Sequence, residues 1–153
     1  VGCHGLMGKQ NHYEHSIRVP LIFAGAGIPK NRRVENYVYL LDIYPTLCEL
    51  LDIEIPESVE GISFAQMFAE DTFETRPDLY FVYNDLIRSV KNKKYKLIEY
   101  RNYVKKTELF DIVNDPDEMN NLADCEKYDD IKKELSACLI KYKELWGEYW
   151  ECY

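Results

Sequence analysis

The chain has 153 residues, 46% of them apolar and 14% aromatic, and a formal net charge of -8. That composition supports one buried core and excludes a largely disordered chain, while the acidic balance argues against nucleic acid and anionic membrane surfaces as partners. No run approaches the roughly 18 apolar residues of a membrane span, so a soluble protein is expected, with the compartment (periplasmic, secreted or cytoplasmic) left open.

In chain order, the first predicted element is a short buried strand, Val19 to Ala24, closed by Gly25-Ala26-Gly27 and Pro29. Pro20 fits only at its beginning. Asp42 then caps a predicted helix whose first turn tolerates Pro45, with Ile43, Leu47, Leu50 and Leu51 on one face and an end before Pro56. The polar stretch Ala69 to Pro77 reads as a linker. From Leu79 the pattern turns β-rich: Leu79 to Tyr83, Ile87 to Lys91, Tyr95 to Tyr100 and Thr107 to Ile112 suit an antiparallel meander of four strands. Between Lys127 and Trp150, Ile131, Leu135, Leu139, Tyr142, Leu145 and Tyr149 recur every three or four residues, which predicts a long amphipathic helix laid on that sheet.

Two portions follow: residues 1–76, a strand and helix suited to the end of a larger α/β sheet, and residues 77–153, an antiparallel sheet with a terminal helix. The strand from Val19 to Ala24 is apolar on both faces, yet the chain offers it few neighbours. The first third is therefore expected to be irregular, to self-associate with another copy through unpaired sheet edges, or to lean on the meander.

Five cysteines, Cys3, Cys48, Cys125, Cys138 and Cys152, form no CxxC pair and are odd in number, so reduced, partly buried thiols are expected rather than a disulfide framework or a zinc site. His12 and His15 have a spacing that supplies two metal ligands from one turn, but no third ligand or acid stands nearby, and no metal site is assigned. The acidic run Asn114-Asp115-Pro116-Asp117-Glu118 lacks the ligand alternation and central glycine of a calcium loop and reads as a solvated turn. Tyr100 and Tyr103 suit either a carbohydrate or aryl pocket or, more commonly, a packed sheet face.

Three segments occur in the order found in formylglycine-dependent sulfatases of the alkaline-phosphatase-like superfamily, and the chain resembles that family through them. They are His4-Gly5 through Lys9 leading into Tyr13-Glu14 and Arg18-Val19-Pro20; Leu41-Asp42-Ile43-Tyr44-Pro45-Thr46; and Leu109-Phe110-Asp111 with Asp115-Pro116-Asp117-Glu118 and Asn121-Leu122-Ala123. Arg88-Ser89-Val90 and Tyr95-Lys96-Leu97 also look like the family's meander. The resemblance implies the C-terminal portion of an α/β sulfatase with its four-stranded sheet and terminal helix, acting on a sulfated small molecule or glycan. It implies a formylglycine nucleophile and a Ca2+ ion whose motifs lie outside these residues, since none of the five cysteines has the formylglycine surroundings.

By the same resemblance Lys9 is the sulfate-binding lysine: a compact ammonium stabilises charge that grows on sulfate and leaving-group oxygens. His4 reaches the same pocket as a proton donor or acceptor, His12 belongs to the substrate-facing wall, and Glu14 and Arg18 form a supporting ion pair or network that holds the Lys9 loop. Two alternatives stay open: a phosphonate monoester or phosphodiester hydrolase of the same superfamily, and a non-catalytic accessory or binding fragment.

Overall fold

The computed structural model describes residues 2–70, 73–101 and 104–147. They fall into two units, one made of Val1–Pro20 with Asp78–Tyr153, the other of Leu21–Pro77.

The first unit is built on four antiparallel strands, β1 (Leu79–Tyr83), β2 (Ile87–Lys91), β3 (Tyr95–Tyr100) and β4 (Lys106–Asp111), in the spatial order 1-2-3-4. Each strand pairs with its sequence neighbour, so the sheet closes through short hairpins alone. The register sets Tyr80 opposite Val90, Val90 opposite Leu97 and Leu97 opposite Leu109. Because side chains alternate across a strand, these four line one face, and the residues between them, including Phe81, Ser89, Ile98 and Glu108, line the other.

A long helix covers the first face. Asp129 and Asp130 open it and Lys143 stands in its last turn, matching the helix dipole at both ends. This helix, Asp129–Leu145, buries Leu135 and Leu139 against Tyr80, Val90, Leu97 and Leu109, flanked by Ile131, Cys138 and Tyr142. Each fully buried aliphatic side chain here is worth about 1.5–3 kcal/mol. Leu145, expected in that interface, is instead 69% exposed. Tyr149 lies outside the described residues.

The N-terminal segment covers the second face. Tyr13 packs with Ile87, Ile98 and Phe110. A one-turn helix, Glu14–Ile17, follows it. We label the helices in chain order α1 (Glu14–Ile17), α2 (Ile43–Leu50) and α3 (Asp129–Leu145). Of the three outcomes expected for the first third, leaning on the meander is the one residues 11–14 adopt.

The expected strand at Val19 to Ala24 is not formed: the backbone there joins no ladder, and Val19 and Ile22 are 51% and 88% exposed. A β-strand exists only by pairing, and no described segment lies alongside to accept its hydrogen bonds. Phe23 alone turns inward, meeting Phe64 edge-on at 5.4 Å and Phe68 at 5.6 Å in the second unit.

The second unit is organised by Asp42, whose carboxylate is wholly buried. It accepts hydrogen bonds from the backbone N–H groups of Tyr39 (2.6 Å) and Ile62 (2.9 Å) and from both terminal guanidinium nitrogens of Arg76. Asp42 thus ties together the approach to α2, the following loop and the segment before β1, rather than capping α2 through its side chain. Arg76 also lies 4.5 Å above the Tyr39 ring. The stretch expected as a linker is accordingly held within the unit, with Thr75 Oγ1 donating to the Tyr37 carbonyl at 2.7 Å.

The expected apolar face of α2 is also corrected. Leu47, Leu50 and Leu51 are 42%, 41% and 66% exposed, and the buried face is Pro45, Thr46 and Cys48. Thr46 decides the choice: its hydroxyl donates to the Asp42 carbonyl at 2.6 Å and accepts from the Phe64 N–H at 3.0 Å, which draws that side of the helix against the chain around Phe64.

Candidate functional site

Gly2, His4 and Gly5 all have positive φ (90°, 54° and 71°), and the loop they make closes on itself: the Gly2 N–H donates to the Leu6 carbonyl at 2.9 Å and the Leu6 N–H to the Cys3 carbonyl at 3.0 Å. Glycine adopts such angles without penalty, so two of the three positions suit their residue. His4 is held there, half-buried, with its ring parallel to that of Tyr13 at 3.8 Å. Lys9 follows on an exposed stretch.

Immediately after Lys9 the chain is clamped onto the second face of the sheet. Asn11 orders the turn, donating to the Gly8 carbonyl at 3.3 Å and accepting from the Tyr13 N–H at 3.1 Å. His12, expected on the substrate-facing wall, lies against the sheet with 3% of its surface exposed, and its Nδ1 shares a 2.7 Å hydrogen bond with Ser89 Oγ. Burial, then the neighbouring charges of Lys96 and Arg88, depress the His12 pKa to about 4, so the ring is neutral near pH 7.

The Lys96 ammonium, fully buried on β3, donates to the His12 carbonyl at 2.9 Å and lies 2.8 Å from Glu14 and 2.6 Å from Glu118. Lys91 adds two 2.9 Å hydrogen bonds to the Glu14 carboxylate, and the Glu14 N–H donates to Glu118 at 2.6 Å. Two carboxylates and two ammonium groups therefore share one buried cluster, as charge burial requires. Burial alone would raise the Glu14 pKa, but Lys96 and Lys91 outweigh it and hold the carboxyl below its ordinary range. Burial lowers the Lys91 pKa, with Glu14 opposing that shift.

A second anchor lies one residue on. The Tyr13 hydroxyl donates to both oxygens of Glu108 (2.9 and 3.2 Å), whose own charge is met by Lys106 at 2.6 Å. Tyr100, one of the residues suited to a pocket or a sheet face, is on the sheet face, its hydroxyl 3.5 Å from that of Tyr13. Tyr103 lies outside the described residues.

The structure thus gathers His4 and Glu14 with His12 around one clamped segment and places Lys9 at its exposed edge. Arg18 is exposed and meets Glu14 only through its backbone N–H, which donates to the Glu14 carbonyl at 2.9 Å; the Glu14 side chain is taken by the two lysines instead. His15 is exposed, and among the described residues no three His, Cys, Asp or Glu side chains are grouped to hold a metal ion. No helix among them is long and apolar enough to cross a membrane.

Sequence reasoning missed Lys91, Lys96, Ser89, Glu108 and Glu118. The acidic run is corrected at Glu118: Asp115 does cap a turn, accepting from the N–H groups of Met119 and Asn120, but Glu118 is 2% exposed and faces Lys96. Its signal was the spacing to Asn121, whose Oδ1 accepts from the Leu109 N–H at 2.9 Å and the Ala123 N–H at 3.0 Å and so pins the turn to β4.

Residues 2–145 match the family described as N-sulphoglucosamine sulphohydrolase, C-terminal. A sulfatase of Formosa agariphila is 30% identical over 148 residues, covering 95% of this chain and 28% of the relative. A Delta 4,5-hexuronate-2-O-sulfatase of Bacteroides thetaiotaomicron is 32% identical over 156 residues, covering 93% of this chain and 32% of the relative. Among solved structures, a 2-O GAG sulfatase superposes with a TM-score of 0.70 at 31% identity over 83% of this chain and 30% of that one. A phosphonate monoester hydrolase of Agrobacterium radiobacter shares the fold, with a TM-score of 0.59 at 19% identity. The chain spans about a third or less of the length of these relatives.

Proposed function

The chain belongs to the family of the N-sulphoglucosamine sulphohydrolase C-terminal region, and we propose from that premise that it forms the C-terminal part of a sulfatase that hydrolyses sulfate esters of a sulfated glycan. In the whole enzyme, residues 1–76 would finish the catalytic α/β domain and 77–153 form the C-terminal subdomain, with the segment up to Pro20 docked on the subdomain's sheet. The observation that carries the reading is the clamp on residues 11–14, formed by Ser89, Lys91, Lys96 and Glu118, which fixes the chain directly beyond Lys9. A buried ionic cluster is an expensive way to hold a surface loop, and it suits a loop whose position matters.

In this reading Lys9 places a fixed positive charge against the sulfate oxygens and stabilises the charge that builds during S–O cleavage. His4 lies in the same pocket and exchanges a proton with the substrate or leaving group. The formylglycine nucleophile and the Ca2+ ligands are supplied by residues outside this chain. Bound there, they would supply the attacking oxygen and a Lewis acid, while Lys9 and His4 would bind and orient the sulfate. The names of the Bacteroides relative and of the superposed 2-O GAG sulfatase support a sulfated uronic-acid glycan as the substrate class.

The test is sulfate release by the complete protein from 2-O-sulfated unsaturated glycosaminoglycan disaccharides. Lys9→Ala is expected to lower kcat by roughly 10²- to 10³-fold, the range for removing one preorganised donor, and the 153-residue chain alone is expected to be inactive. Turnover of phosphonate monoesters or phosphodiesters without sulfate release would transfer the assignment to the other branch of the superfamily.

A further inference from the structure

We propose that Tyr13 is a positioning residue for His4: its ring is the platform that fixes the orientation of the His4 imidazole, and Glu108 fixes the platform. The inference rests on the sulfatase reading and adds a residue to which that reading gives no role. The two rings are 2° from parallel with centroids 3.8 Å apart. Aromatic pairs commonly sit 4.5–7 Å apart, offset or edge-on. At this separation the imidazole has little freedom to tilt.

The platform is itself immobilised. Tyr13 is 7% exposed, Phe110 meets its ring edge-on at 6.0 Å, and its hydroxyl donates to both oxygens of Glu108, which is 3% exposed. Burial pushes the Tyr13 phenol up to about 12, so the hydroxyl remains a donor to Glu108 throughout the neutral range.

His4 contrasts with His12 in how it is held. A structural histidine is tied through its ring nitrogens, as His12 is to Ser89 at 2.7 Å. His4 is held by its face, and among the described residues neither of its ring nitrogens has a hydrogen-bond partner. Its backbone lies in the left-handed region (φ 54°, ψ 22°), which disfavours a residue with a Cβ. Local strain at a half-buried side chain held by its face, with both ring nitrogens unpaired among the described residues, is the arrangement of a group meant for a ligand. The His15 ring lies nearly parallel to it, 5.7 Å away.

The experiment compares Tyr13→Leu, which removes the platform, with Tyr13→Phe, which keeps the ring and loses the Glu108 bond, each in the complete protein. In histidine-labelled NMR spectra the His4 ring protons are expected to lie upfield through the Tyr13 ring current, to move downfield in Tyr13→Leu, and to move only part of the way in Tyr13→Phe, which keeps the ring but frees it from Glu108. In kinetics on the disaccharide, Tyr13→Leu is expected to lower kcat about 10- to 100-fold with KM little changed. That loss should disappear when His4→Ala is already present, because the two residues act as one unit. Unshifted His4 resonances, or a loss that persists in the His4→Ala background, would overturn the proposal. Should Tyr13→Leu fail to fold, Glu108→Gln, expected to give a partial loss that likewise vanishes with His4→Ala, decides instead. The spectra do not depend on turnover, so a protein that released no sulfate would refute the sulfatase reading while the ring-current result still judged the platform.

Discussion

The Lys96 ammonium sits 2.6 Å from the Glu118 carboxylate, with 0% and 2% of the two side chains exposed. Glu118 also accepts the Glu14 N–H, so this one pair joins β3, the turn after β4 and the N-terminal segment. The pair is held by mutual need: neither charge has water to fall back on.

Removing one partner should therefore cost far more than the pair contributes. Lys96→Met leaves Glu14 and Glu118 facing each other in a buried site, and a loss of about 3–5 kcal/mol is expected. Urea denaturation of the purified chain measures it. A loss below about 1 kcal/mol would mean that solvent reaches the cluster.

His12 makes stability depend on pH. Its pKa is about 4 in the folded chain against 6.5 unfolded, so below 6.5 the unfolded state takes up the proton first and folding weakens as pH falls towards 4. Between pH 7 and pH 5 the loss from this group is about 2 kcal/mol. His12→Gln should flatten the dependence over that interval. Glu14, whose pKa is lowered, adds its own loss only in more acidic solution, below the ordinary carboxyl range.

Gly61 has no room for a side chain. A Cβ there would stand 2.4 Å from the Leu41 carbonyl oxygen and 3.0 Å from the Pro45 ring. Gly61→Ala should destabilise the second unit by about 1–3 kcal/mol, readable as a lowered Tm. An unchanged Tm would show that the Leu41 backbone yields freely.

Asp42→Ala deletes acceptors for two backbone N–H groups and leaves the Arg76 guanidinium without its carboxylate. A loss of about 3–5 kcal/mol is expected. Asp42→Asn, which keeps the shape, should lose less. Equal losses for the two would assign the effect to the carboxylate charge rather than to packing.

The meander was legible because its information is local. Period-two alternation and short polar breaks give β1 to β3 their observed bounds, and β4 begins one residue early, at Lys106. The strand at Val19 to Ala24 was not legible as absent, since pairing depends on what lies beside it. In the candidate site, Lys9 and His4 stood out through their motif, whereas Lys96 was read only as part of the meander and Glu118 only as part of a solvated turn. Buried charges become recognisable only when residues from distant parts of the chain converge, and periodicity carries no trace of that. The face of α2 went wrong for a related reason: the apolar stripe was real, but the bond from the Phe64 N–H to the Thr46 hydroxyl holds the other side against the chain.

The hydrogen bond from Lys96 to the His12 carbonyl joins residues 84 positions apart, while every strand pairing of the sheet is between neighbours in sequence. Closing so long a loop early would sacrifice chain entropy before any contact repaid it. The sheet and α3 are therefore expected to assemble first, with the His12 segment docking last. On the ribosome, at 5–20 residues per second, that segment waits roughly 4–17 seconds between its own emergence and that of its lysine. Pulse-labelled hydrogen exchange during refolding should find the β2 and β3 amides protected ahead of those of Tyr13 and Glu14. During that interval Tyr13 and the sheet face it will cover are both open to solvent, and this is the stage at which the chain is most exposed to a chaperone or to a neighbouring copy.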